Sequence, residues 1–184
     1  MVSSTAMASQ SRFSLEAAMS ELDVLESQER VRRMLRQAFA EVPCPDTFKN
    51  AGDCGPLLHD VALELRRDFY NYEPEEIHYL LPMILEDMLD TRTGDDIETD
   101  DAESLVLHLD PFWLDDAVVR KVQLDQFANF TPQQREAVCE WLQFARTWND
   151  LTRFRHWVDA AIRYWCHAAC DNAQDSQSAG QTAT

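Results

Sequence analysis

Pro74-Glu75-Glu76-Ile77-His78-Tyr79-Leu80-Leu81-Pro82-Met83-Ile84-Leu85-Glu86-Asp87-Met88-Leu89-Asp90 decides the fold class. Ile77, Leu80, Leu81, Ile84, Leu85, Met88 and Leu89 recur at steps of three and one. At about 100° per residue they fill one face of a helix, while Glu75, Glu76, Glu86, Asp87 and Asp90 fall on the other. Pro82 also falls on the polar face, so a kink there opens toward solvent and spares the core. The stretch predicts a core helix with a negative back.

Upstream, Ser14–Leu25 and Ser27–Val42 read as two helices. In the second, Val31, Leu35, Ala38, Phe39 and Val42 make one buried stripe, and Pro43-Cys44-Pro45 ends it. Gly55-Pro56 opens another helix with Leu58, Val61, Ala62, Leu65 and Phe69 on one side. Downstream, Asp100-x-x-Glu103 reads as a capping box before Leu105, Val106 and Leu109. Phe112, Trp113 and Leu114 read as core contributors, and residues 118–130 fit a strand or a helix, because Val118, Val119 and Val122 are β-branched.

Thr131-Pro132-Gln133-Gln134 is a strong helix start: a Thr cap, Pro at the first position and Gln three residues after the Thr. Val138, Leu142 and Ala145 follow at helical spacing. Asp150–Cys170 reads as a long C-terminal amphipathic helix whose Leu151, Phe154, Val158, Ala161, Ile162, Trp165 and Ala169 form a wide apolar face edged by Trp157 and Tyr164. Residues 1–13 and 171–184 are small and polar, without periodicity, and read as a disordered N-terminus and tail.

Charge is concentrated in the middle of the chain. Asp60 to Asp116 holds eighteen Asp and Glu against three Arg, a net of −15 within a total of −17. An acidic body repels phosphate backbones, which argues against a nucleic-acid partner and favours a basic protein. Only four Gly and seven Pro occur in 184 residues, which favours helices over a sandwich or barrel. No window approaches the about 18 apolar residues of a membrane span, so no membrane partner is expected. The five Cys (44, 54, 139, 166 and 170) are odd in number and scattered. With no secretory signal they read as free thiols in a reducing compartment, giving a cytoplasmic localisation.

Phe39, Pro43, Asp68-Phe69, the string Pro74 to Pro82 with Leu85, Leu105-Val106 with Leu109, Phe127, and Thr131-Pro132-Gln133-Gln134 with Val138 and Leu142 carry a resemblance. Over about residues 38–146 the chain resembles a family of small uncharacterised bacterial proteins, a domain of unknown function. The resemblance implies a bacterial origin and a mostly helical domain. It brings no activity and no site residues, and it leaves the helix 150–170 outside.

Several constellations carry chemistry elsewhere. His59-Asp60 is the dipeptide of HD-type metal-dependent phosphohydrolases, but no His precedes it to complete that site. Glu75-x-x-His78 has di-iron spacing, yet such sites need two motifs and two more Glu, so a solvated surface pair is the simpler reading. Cys166, His167 and Cys170 share a helical turn but lack the fourth ligand of a structural zinc site. The run Asp95 to Asp101 lacks the alternation and central Gly of a calcium loop. No cofactor is implied.

These observations predict an all-α fold, a single domain of about six to eight helices spanning 14–170. They favour a non-enzymatic binding or adaptor protein. Its partner-binding candidates are the acids Glu73, Glu75, Glu76, Glu86, Asp87 and Asp90, with Trp157, Tyr164 and Trp165 on the C-terminal helix. The alternatives are a hydrolase centred on His59-Asp60 and a protein that self-associates, as a homo-oligomer, through the C-terminal helix.

Overall fold

The computed structural model describes residues 5–49, 69–91, 99–113, 115–148 and 150–178, with side chains described for 22–49, 69, 71–90, 102–113, 115–148 and 151–166. Among the described residues there are seven α-helices, two short 3-10 helices and no strand. The α-helices are α1 (Thr5–Ala38), α2 (Asp46–Lys49), α3 (Pro74–Thr91), α4 (Thr99–Leu109), α5 (Ala117–Phe127), α6 (Pro132–Ala145) and α7 (Arg155–Ser178). The 3-10 helices are Phe69–Asn71 and Asp150–Phe154. The fold is all-α, and no described helix is long and apolar enough to cross a membrane.

α3 carries the apolar stripe. Its seven periodic apolar residues, Ile77 to Leu89, are all fully buried, as the stripe requires. The helix continues through Pro82, which is half-buried. Val31, Leu35 and Phe39 of α1, Leu105, Val106 and Leu109 of α4, Val138, Trp141 and Leu142 of α6, and Val158, Ala161 and Trp165 of α7 complete one core cluster. α6 packs against both α7 and α1, α3 against α1 and α5, and α4 against α7.

Several differences from the sequence reading have physical causes. α1 is one helix where two were expected, and it includes residues 5–13 that were read as disordered. No Pro or Gly interrupts Thr5–Ala38, and its Ala, Leu, Met, Glu, Gln and Arg all favour helix. α7 likewise runs on to Ser178, past the expected end at Cys170. α4 begins at Thr99, so Asp100 lies inside the helix and not at its cap. Residues 117–127 form a helix: Asp116 Oδ1 accepts from the backbone N–H of Val118 (2.8 Å) and Val119 (3.1 Å), and this cap starts the valine run as α-helix. The capping box at Thr131 and Gln134 forms as expected, with Pro132 in the first turn. The helix expected after Gly55-Pro56, His59-Asp60 and most of the acidic loop before Asp100 lie outside the described residues.

Candidate partner-binding surface

Buried polar side chains order this fold by donating to backbone carbonyls at and near helix ends. The last carbonyls of an α-helix have no intrahelical donor, and burying one unpaired costs about 1–3 kcal/mol. Gln123 Nε2 donates to His108 O at the end of α4 (3.3 Å), and Trp165 Nε1 donates to Leu109 O (2.8 Å). Arg135 Nη2 donates to Phe127 O at the end of α5 (2.7 Å), and Gln28 Nε2 to Leu89 O in the last turn of α3 (2.6 Å). Gln126 Nε2 reaches both Phe69 O (2.8 Å) and Tyr72 O (3.1 Å). Arg135 is also held over the rings of Tyr164 and Trp165, at 5.5 and 5.6 Å, so burial of its guanidinium is offset by two aromatic faces.

This wiring fixes the rotation of α5. Gln123, Gln126 and Phe127 turn inward and are buried, so the other side of the helix turns outward. Val118 is 74 % exposed and Val122 39 %, one turn apart on that outer face. Phe112, in the preceding loop, is 55 % exposed. Arg120 lies 5.6 Å over its ring, and Tyr164 meets it edge-on at 6.2 Å. Carboxylates flank the patch: Asp115 is fully exposed and paired to Arg120 at 3.5 Å, and Asp125 pairs with Lys121 at 2.7 Å. The Gln126–Tyr72 hydrogen bond also sets the C-terminal half of α5 beside the turn that carries Glu73 and Glu75. The sequence reading placed Val118, Val119 and Val122 without a face and Phe112 in the core. The two glutamines were the missed signal, because their inward register fixes which side of α5 is outside.

The sequence-predicted acids divide into two groups. Glu73 and Glu75 are exposed at the start of α3, and Glu76 Oε2 accepts from the Glu73 backbone N–H at 3.0 Å, closing the helix start. Glu86 is bound by Arg36 of α1 at 2.9 Å, and Asp90 is ion-paired with Arg32. Asp87 is half-buried between them. The negative back of α3 is therefore in part a seam between two helices of one chain.

The three aromatics of the C-terminal helix do not form one open edge. Trp165 is 0 % exposed and lies inside the core, against Phe127 and Phe130, which corrects its placement on a surface. Tyr164 is half-buried under Phe112 and Arg135, and Trp157 is half-buried and stacked flat on Phe154 at 5.0 Å.

The metal readings fare differently. Glu75 is exposed while His78 is half-buried between Phe39 and Phe130, donating from Nε2 to Gln134 Oε1 at 2.8 Å. The pair is thus not a solvated one: His78 anchors α3 to the α6 capping box. Cys166 is bonded to Cys139 across α6 and α7, with Cα atoms 5.4 Å apart, so it is unavailable to a zinc site. The expectation of five free thiols fails at these two positions. The antiparallel return of α7 along α6 brings together residues 27 apart in sequence. Cys44 keeps its thiol and is half-buried. Among the described residues, no group of three His, Cys, Asp or Glu is placed to hold a metal ion.

Neither the curated proteins nor the solved structures contain a match to this chain. A family model does match, over residues 64–169. The match starts later than the resemblance read from sequence and takes in most of α7, so the C-terminal helix is part of the common domain. With more than half of its length covered, the chain belongs to the family described as Family of unknown function (DUF6714).

Proposed function

We propose that this protein is a non-enzymatic binding module that docks a basic, amphipathic helical segment of another protein on the outer face of α5. The observation that carries the reading is the outward pair Val118 and Val122 on a helix whose buried residues are Gln123, Gln126 and Phe127. β-branched residues on an exposed helix face favour neither helix formation nor solvation, and a cover for them supplies the reason for their use. The net charge of −17 selects the cover: a basic segment gains steering from the whole field and local partners in Asp115, Glu73 and Glu75. A small apolar centre with a charged rim is also how helical peptides are held in grooves.

The test uses a defined probe, a synthetic helical peptide with Leu on one face and Lys on the other, titrated into the full chain by fluorescence anisotropy. Binding is expected at low salt, weakening as salt rises. Val118→Asp is expected to weaken it about tenfold, the worth of roughly 1.4 kcal/mol. A peptide with Ser replacing Leu is expected to bind no better than that variant binds the original. Equal binding by Val118→Asp, or a doubled solution mass with no peptide binding, would sink the reading; the latter would assign this face to a second copy.

A further inference from the structure

The bond between Cys139 and Cys166 has an attendant that a purely structural bridge does not need. Gln143, exposed and one turn after Cys139 on α6, directs its Nε2–H group to Cys139 Sγ at 3.1 Å and lies 3.8 Å from Cys166 Sγ. A disulfide sulfur is a weak acceptor and gains little from such a donor, whereas a thiolate gains much. The two sulfurs also differ in access, since Cys139 is 7 % exposed and Cys166 is half-buried. The bridge is not what holds α6 to α7 either. Val138, Leu142 and Ala145 already pack with Val158, Ala161 and Trp165 in the core. Cys166 directly follows Trp165, and the sequence His167 to Ser178 beyond it holds no large apolar residue.

We propose that Cys139–Cys166 is a reversible thiol–disulfide exchange site, reduced by an external dithiol, and that it fastens the C-terminal end of α7. The accessible sulfur sets the direction of attack. A thiolate of the dithiol forms a bond to Cys166 Sγ, the Sγ–Sγ bond breaks, and its electron pair leaves on Cys139 Sγ. The Gln143 N–H stabilises that thiolate until it takes a proton from water. The second thiolate of the reductant then attacks the reductant's own sulfur in the mixed disulfide. Cys166 departs as a thiolate and is protonated. Two electrons and two protons have passed to the protein, and the reductant leaves as an intramolecular disulfide. In the reduced state the helix beyond Trp165 loses its covalent tie to α6, and the small, polar sequence from His167 to Ser178 favours fraying there.

The experiment uses the full chain with Cys44, Cys54 and Cys170 replaced by Ser, so that only the pair reports. The bridge is expected to be present in protein purified without reductant, and dithiothreitol is expected to open it while the far-ultraviolet spectrum of the fold persists. Hydrogen exchange is expected to rise over residues 166–178 and to stay unchanged in α3. Gln143→Leu is expected to slow reduction about tenfold, as loss of a hydrogen bond to a charged leaving group does. Gln143→Glu, which sets a negative charge beside the leaving thiolate, is expected to slow it further. The proposal is overturned if thiol labelling finds no bridge, if reduction requires global unfolding, or if Gln143→Leu is reduced as fast as the parent protein.

Discussion

The indole of Trp165 donates to the carbonyl of Leu109 at 2.8 Å, joining α7 to the last residue of α4 inside the core. The same side chain packs on Phe127 and Phe130 and carries the Arg135 guanidinium on its face. One residue thus couples the ends of two helices, α4 and α5, to a third. The Nε1–H end settles the orientation of the ring, because a buried indole must find an acceptor and a helix end supplies one.

Trp165→Phe keeps most of the apolar area but removes the donor and part of the ring, leaving Leu109 O unpaired. The expected cost is about 2–4 kcal/mol, combining the lost hydrogen bond with the space left by the smaller ring. Urea unfolding followed by circular dichroism measures it. The solution mass of the variant is expected to equal that of the parent, since a fully buried side chain takes no part in self-association.

Arg32 and Arg36 of α1 cover Asp90 and Glu86 of α3. Each is an ion pair with one partner largely in solvent, so Arg32→Gln and Arg36→Gln are each expected to cost about 0.2–1 kcal/mol at low salt. The cost is expected to shrink in high salt, where exposed charges are screened. Unchanged loss at both ionic strengths would show that the arginine stems, packed along α3, matter more than their charge.

The helical character of this chain was legible because its central stripe, Ile77 to Leu89, repeats at helical spacing and is buried along its whole length. The Thr131–Gln134 start was legible for the same local reason, since a capping box depends on residues three apart. What stayed hidden depends on distant partners. Gln126 is polar and reads as surface, yet two carbonyls 54 and 57 residues away draw it inside. Cys139 and Cys166 carry no local pattern at all, and only the packing of α6 on α7 makes them a pair. Glu86 and Asp90 read as an open acidic face because nothing in their own segment announces Arg36 and Arg32 of α1.

Asp110 is a carboxylate with 3 % exposure, and burial pushes its pKa above the usual carboxylate range. The Phe112 backbone N–H, donating to its Oδ1 at 3.0 Å, and the charge of Arg163 pull the other way without reversing the shift. A carboxyl whose folded pKa lies above its unfolded value favours folding while it is protonated. That contribution is complete below the unfolded pKa and is lost as pH rises through the folded one. Asp110→Asn keeps the acceptor and abolishes the ionisation. Its stability relative to the parent is expected to rise between about pH 4 and neutrality, given the ordinary Asp value near 3.9. Parallel denaturation of both proteins across that range measures the difference, and a flat difference would contradict the burial argument.

α5 gives the sharpest contrast, because two of its three buried residues are glutamines while Val118 and Val122 face outward. Gln126→Leu puts an apolar side chain where hydrophobic patterning would want one, yet it strips the donor from Phe69 O and Tyr72 O. Each of the two lost hydrogen bonds is worth about 0.5–1.5 kcal/mol, so the variant is expected to lose about 1–3 kcal/mol. Val118→Asp removes an apolar residue from the same helix, at a site 74 % exposed. Its stability is expected to stay within about 0.5 kcal/mol of the parent, as for surface positions generally. The first turn of α5, where Val118 sits, also favours a negative charge through the helix dipole. Urea melts of the two variants side by side test the register directly. If Val118→Asp proves the more damaging, α5 is turned the other way, and the docking face loses its foundation with it.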